Sequence, residues 1–249
     1  MPLAKIFKLL EMLEVHQYPD ELKPVGGYGA GLAIVKADGH VVLEKVGKTG
    51  EDSPVRRLSK IVKINEASVL VGHVRFPSEE FMETARFRET AQPYVARCHS
   101  GLTVVSAHNG YVANYEEVRR QLGEGHMLES GSVGIVDSEV IPHFFEEMLM
   151  EKGDVNEALD SVFAGLEGSN AISLLQIDSE RAFLHFIHKG KTRGLTILTN
   201  EQGEVIFCSR KELMLAELND ILVQGKFKEK VAIRWREKAN LKLSFPISP

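Results

Sequence analysis

Cysteine is scarce in this chain. Cys98 and Cys208 are the only two among 249 residues, too few for a disulfide framework and without zinc-type cysteine spacing. That scarcity points to a reduced, cytoplasmic protein. Blocks of positive charge are also missing. The 30 basic residues are outnumbered by 35 acidic ones, for a net charge of −5, so a nucleic-acid role has no electrostatic support. No uninterrupted apolar run approaches the length that spans a bilayer. The N-terminal segment carries Glu11 and Glu14, unlike a signal peptide. Internal repeats, low-complexity tracts and a convincing linker are absent as well. What remains, 43% hydrophobic and 26% charged, is ordinary globular composition on a chain long enough to bury a substantial core. It reads as a single domain, residues 1–249.

Leu3, Ile6, Phe7, Leu10 and Leu13 recur at helical spacing, which predicts an amphipathic helix over 3–15. Ala30–Val35 and Val41–Val46 flank Asp38-Gly39 and read as a β-hairpin. Ser53-Pro54 opens a helix to about Ile64. Ser68–Val74 reads as a strand ending at Arg75, and Phe76 to Gly101 as a long irregular loop. Leu102–Ala107 is a further strand and Tyr115–Leu122 a helix. Asp137-Ser138 caps the next helix, and Asp154 the one after it. The last third is rich in strands: Ala171–Ile177, Ala182–His188, Leu195–Thr199, Val205–Cys208, Val231–Trp235 and Leu241–Phe245. A short helix, Lys211–Leu218, interrupts them. The pattern predicts an α+β fold with largely antiparallel sheets in layers.

Three strand ends carry polar residues. Arg75, at the end of Gly72-His73-Val74-Arg75, has the fork geometry that grips a carboxylate, or it forms an ordinary surface ion pair. Asn109-Gly110 offers a side-chain amide and a backbone N–H at one point, a pair able to hold an oxyanion. The same dipeptide is also a strong turn signal. Asp137 either caps its helix or presents a carboxylate to an ammonium group. Together the three suit an α-amino acid whose side-chain carbonyl is the reacting centre.

In order along the chain, Gly72-His73-Val74-Arg75-Phe76-Pro77-Ser78, Ala91-Gln92-Pro93-Tyr94, His108-Asn109-Gly110 with Asn114, and Asp137-Ser138-Glu139-Val140-Ile141 resemble the motifs of class II glutamine amidotransferase domains. Several motifs in one order are far more specific than any alone. The resemblance covers most of the chain and is weakest after about Gly190. It implies a four-layer αββα sandwich of the N-terminal-nucleophile hydrolase type. It also implies a glutaminase reaction, in which an N-terminal cysteine thiolate attacks the glutamine amide with its own α-amino group as base. Carried over, Arg75 binds the substrate carboxylate and Asp137 its amine. Asn109 and Gly110 form the oxyanion hole. Phe76 replaces the usual Trp beside the Arg, and Ser78 stands at a hydroxyl position that is normally Thr.

The nucleophile has no counterpart here. The chain begins Met1-Pro2 and passes straight into the helix that, in the family, follows the cysteine-bearing strand. Neither Cys98 nor Cys208 matches by position, so the chain as given is expected to be inactive. A truncated start is the favoured expectation, with a gap or unpaired edge near Ala30–Val35, or a rearranged N-terminus filling it. The leading reading is a glutaminase subunit delivering ammonia to a separate synthase partner. The alternative is a non-catalytic glutamine- or amino-acid-binding or regulatory subunit that lost its nucleophile. No metal, cofactor, nucleic acid or membrane is expected, and a homo-oligomer is possible.

Overall fold

The computed structural model describes residues 2–64, 67–179 and 181–247. In chain order the elements are α1 (Leu3–Val15), β1 (Gly29–Val35), β2 (Val41–Gly47), α2 (Pro54–Ile61), β3 (Val69–Val74), β4 (Tyr94–Ala96), β5 (Thr103–Gly110) and α3 (Tyr115–Gln121). There follow α4 (Val140–Lys152), α5 (Val155–Gly165), β6 (Asn170–Ile177), β7 (Ala182–Lys191), β8 (Leu195–Thr199), β9 (Val205–Cys208), α6 (Lys211–Gln224), β10 (Lys228–Ile233) and β11 (Lys238–Ile247). The chain divides into two compact units, Met1–Pro93 with Leu195–Ala232, and Tyr94–Gly194 with Ile233–Ser248. No helix among the described residues is long and apolar enough to cross a membrane.

The first unit holds two three-stranded sheets, β2-β1-β3 and β10-β8-β9. The expected hairpin forms, with Ala33 opposite Leu43 in antiparallel register. Every residue of β1 is buried; since alternate side chains point to opposite faces, both faces of the strand are covered. β1 pairs with β2 on one side and β3 on the other, so the open edge expected near Ala30–Val35 is not there. The edges of that sheet are β2 and β3. The apolar stripe read on α1 packs as predicted. Phe7, Leu10 and Leu13 join Leu32 and Ile34 of β1 and Met214, Leu218 and Leu222 of α6 in one core. Those three α6 residues repeat every four positions, so α6 continues to Gln224 rather than stopping at Leu218.

The expected loop 76–101 is largely structured. Short 3-10 turns cover Glu79–Arg86 and Arg88–Thr90, and β4 follows. Its backbone lies directly on the β1–β2 sheet. A Cβ on Gly31 would sit 2.3 Å from the Gln92 carbonyl oxygen, and one on Gly47 2.4 Å from that of Arg86. Glycine at those two positions is what allows the approach.

The second unit is built on the antiparallel sheet β11-β7-β6-β5-β4. Its core joins Val104, Ile172, Leu174 and Ile187 of the strands to Val118 of α3, Ile141, Phe144 and Phe145 of α4, and Leu159 and Val162 of α5. The mixture of helices with antiparallel strands bears out the α+β expectation.

Candidate functional site

Arg75, Phe76 and Ser78 belong to the first unit, where the chain leaves β3. Arg75 is not a surface side chain: it is 4% exposed. Its Nη1 donates to Thr90 Oγ1 at 2.7 Å and its Nη2 to Thr84 Oγ1 at 2.9 Å. Thr90 Oγ1 is 2.7 Å from the Thr84 carbonyl oxygen, and Thr84 Oγ1 is 2.7 Å from that of Phe81. The 79–90 segment therefore fixes the guanidinium through neutral hydroxyls. Both hydroxyl contacts orient the guanidinium, whose planar fork is the group suited to a carboxylate. Phe76 packs against Tyr28 in a tilted pair, 4.6 Å between ring centroids, and Lys23 Nζ lies 4.6 Å above the Phe76 ring. Ser78 begins the first 3-10 turn without a side-chain cap bond.

Asn109, Gly110 and Asp137 belong to the second unit. Asn109-Gly110 is the end of a strand, not a hairpin turn: Asn109 pairs with Ala171 and Gly110 with Asn170 across β5–β6. Gly110 has φ +153°, and a Cβ there would lie 2.2 Å from the Ser169 carbonyl oxygen. Only glycine fits both the conformation and the space. Asn109 is partly buried, and Gly110 is exposed.

Asp137 lies in a 3-10 turn ahead of α4, and α4 has no side-chain cap bond. The capping reading of Asp137 is thus corrected. Its Oδ2 instead accepts the Val112 N–H at 2.9 Å, which ties the buried carboxylate to the residues just after Gly110. Beside it runs a buried chain that sequence reasoning missed. His108 Nε2 is 2.9 Å from Asn170 Oδ1, and His108 Nδ1 is 2.9 Å from Ser138 Oγ. Asn170 Nδ2 donates to the Glu167 carbonyl, so Oδ1 is the acceptor and the His108 Nε2–H is the donor. Burial holds the His108 imidazole below its ordinary pKa, against the opposing pull of Asp137 and Asn170. A neutral ring then accepts the Ser138 hydroxyl at Nδ1, and Ser138 cannot spend the same proton on Asp137 Oδ1, 3.3 Å away. The signal for this chain was a histidine sharing the strand with the Asn-Gly pair and a serine following the aspartate. Thr84 and Thr90 gave no such signal.

Other motif residues stabilise the unit. Asn114 donates to the Gly165 carbonyl at 2.8 Å and accepts from Glu167 N at 2.9 Å, pinning the end of α5. Glu139 accepts from the Ser130 N–H and hydroxyl, anchoring the segment ahead of α4. Cys208 is buried, and burial pushes its thiol up to about 11. Cys98 is partly buried, and its thiol is also raised, chiefly by burial.

An amidophosphoribosyltransferase of Archaeoglobus fulgidus is 36% identical over 112 residues, covering 44% of this chain and 22% of that protein. A glutamine–fructose-6-phosphate aminotransferase (isomerizing) of Sulfurisphaera tokodaii is 32% identical over 161 residues, 62% of this chain and 24% of that protein. The chain thus spans about a quarter of the length of these curated relatives. Among solved structures, a glutamine phosphoribosylpyrophosphate amidotransferase from B. subtilis, complexed with ADP and GMP, aligns with a TM-score of 0.58 at 17% identity. The alignment covers 96% of this chain and 46% of that one. At that identity the likeness speaks for the fold. A model described as a glutamine amidotransferase domain matches residues 82–216, more than half of the chain. With the ordered motifs and the shared fold, that match means the chain belongs to the class II glutamine amidotransferase domain family.

Proposed function

We propose that this chain binds glutamine and supplies the oxyanion-holding part of a class II glutaminase, yielding glutamate and ammonia for a synthase partner. The observation that carries the reading is Arg75, a buried guanidinium oriented by two threonine hydroxyls. In the proposal it takes the substrate carboxylate, with Phe76 as the apolar wall and Ser78 as a further hydroxyl. Asp137 receives the ammonium group, and Asn109 Nδ2 with the Gly110 N–H meets the developing oxyanion. The loss of one such donor typically costs about 3 kcal/mol of transition-state stabilisation. Both units are read as one amidotransferase domain, because the family match runs through residues of each. A reducing, cytoplasmic setting suits two free thiols.

A second reading, a subunit that binds without cleaving, is favoured by Cys208. It is buried, and burial pushes its thiol up to about 11, the opposite of an activated nucleophile. Calorimetry with glutamine tests what the two readings share. The full chain is expected to bind, and Arg75→Ala to weaken binding at least about tenfold, 1.4 kcal/mol. Failure of the unaltered protein to bind glutamine or glutamate sinks both. Ammonia release after an upstream Met-Cys segment is added separates them: turnover supports the glutaminase, and binding without turnover the regulatory subunit.

A further inference from the structure

In the second unit, among residues given no part in the proposed glutamine site, a thiol, two imidazoles and a carboxylate converge. Cys98 comes from the segment between β4 and β5, His126 from the loop after α3, and His143 and Glu146 from α4. One ligand atom from each lies within 4.8 Å of all the others. His143 and Glu146 are three residues apart, which puts them on one helix face. Cys98 Sγ is 3.4 Å from His143 Nδ1, and His126 Nδ1 is 3.1 Å from the same nitrogen. Glu146 Oε2 stands 3.7 Å from His126 Nδ1. Tetrahedral zinc, with Zn–S about 2.3 Å and Zn–N about 2.0–2.1 Å, sets its ligand atoms roughly 3.3–3.6 Å apart. The observed separations are close to those edges.

The hydrogen bonding is unbalanced without a cation. His126 Nε2 is 2.9 Å from Glu147 Oε2. That contact fixes the tautomer and leaves the Nδ1 lone pair facing the cluster, the carboxylate–imidazole support common behind metal-bound histidine. Glu146 Oε1 accepts the Cys98 and His99 backbone N–H groups at 2.8 and 2.9 Å. Its other oxygen, on a side chain with no exposure, has no hydrogen-bond partner. A buried carboxylate oxygen without a donor, beside an imidazole lone pair and a thiol, is an arrangement that a bound cation satisfies.

We propose that Cys98, His126, His143 and Glu146 form a structural zinc site, with Glu147 orienting His126. The mixed sulfur, nitrogen and oxygen donors suit zinc better than calcium or magnesium. Four protein ligands close the coordination shell, as in structural rather than catalytic sites. The ion ties the chain entering β5, the loop after α3 and helix α4 to one another.

The test uses the full chain stripped with a chelator and titrated with cobalt(II) and zinc(II). One equivalent of cobalt is expected to give a thiolate-to-metal charge-transfer band that Cys98→Ser abolishes. Competition titration is expected to show Cys98→Ser and His143→Gln weakening zinc binding at least about 100-fold, and Glu147→Gln about 10- to 100-fold. Circular dichroism of the stripped variants checks that they remain folded. The competing arrangement is an imidazolium on His126 held between Glu146 and Glu147. It predicts no charge-transfer band and the same zinc affinity in the unaltered protein and Cys98→Ser. Either result overturns the site.

Discussion

Arg210 and Glu21 form a buried ion pair. Arg210 is 1% exposed. Its Nη2 reaches both Glu21 oxygens at 2.7 and 2.6 Å, and its guanidinium lies 4.3 Å over the Tyr18 ring. Removing the Glu21 charge takes away the carboxylate that this buried guanidinium contacts. Glu21→Gln is therefore expected to cost about 3–5 kcal/mol in denaturant unfolding, with much of the loss recovered when Arg210→Met is added. Gly110 is constrained differently, by its φ of +153° and by the Ser169 carbonyl. Gly110→Ala is expected to destabilise by about 1–3 kcal/mol in the same measurement. It should also weaken any glutamine-dependent chemistry, because the strand end must shift.

Helices α4 and α5 begin alike in sequence, each with an aspartate, yet only one aspartate caps. Asp154 accepts from Asn156 N at 2.8 Å and Glu157 N at 3.0 Å. Asp154→Ala is expected to lower stability by about 1 kcal/mol, and Asp154→Ser to restore most of it, as read by thermal melting. Asp137 turns away from α4 because Val112 N offers a buried donor, and a buried N–H left unpaired would cost more than a missing cap. Asp137→Ser should therefore fail to rescue stability. The same contrast runs through the strands: the β1–β2 hairpin was legible from alternation and Asp38-Gly39, whereas β4 was hidden in a stretch read as loop. Its three residues are too few to establish a period.

Across the molecule, buried histidines couple stability to acidity. His185 Nε2 meets Gln176 Oε1 at 3.1 Å and its Nδ1 meets Ser244 Oγ at 2.8 Å, contacts that suit a neutral ring. Burial lowers its pKa from 6.5 to about 4. The unfolded chain therefore binds the proton first as pH falls, and stability drops between those two values while staying flat above them. At about pH 5 this single residue should cost about 2 kcal/mol relative to neutral pH. His185→Gln, compared with the unaltered protein by chelator-treated melts at about pH 7.5 and 5, is expected to lose correspondingly less. An equal loss in both would assign the acid sensitivity to other groups.

The sequence by itself determined the mixed α/β content, the α1 stripe, the first hairpin, the α5 cap and the ordered motifs that mark the family. These are local or periodic features, fixed by backbone propensity and by residues a few positions apart. Tertiary structure alone decided that Arg75 is buried and held by Thr84 and Thr90, that Asp137 serves Val112 rather than its own helix, and that Cys98, His126, His143 and Glu146 meet. Each depends on buried groups from separate segments satisfying one another. That requirement acts through space and leaves no period or spacing in the chain.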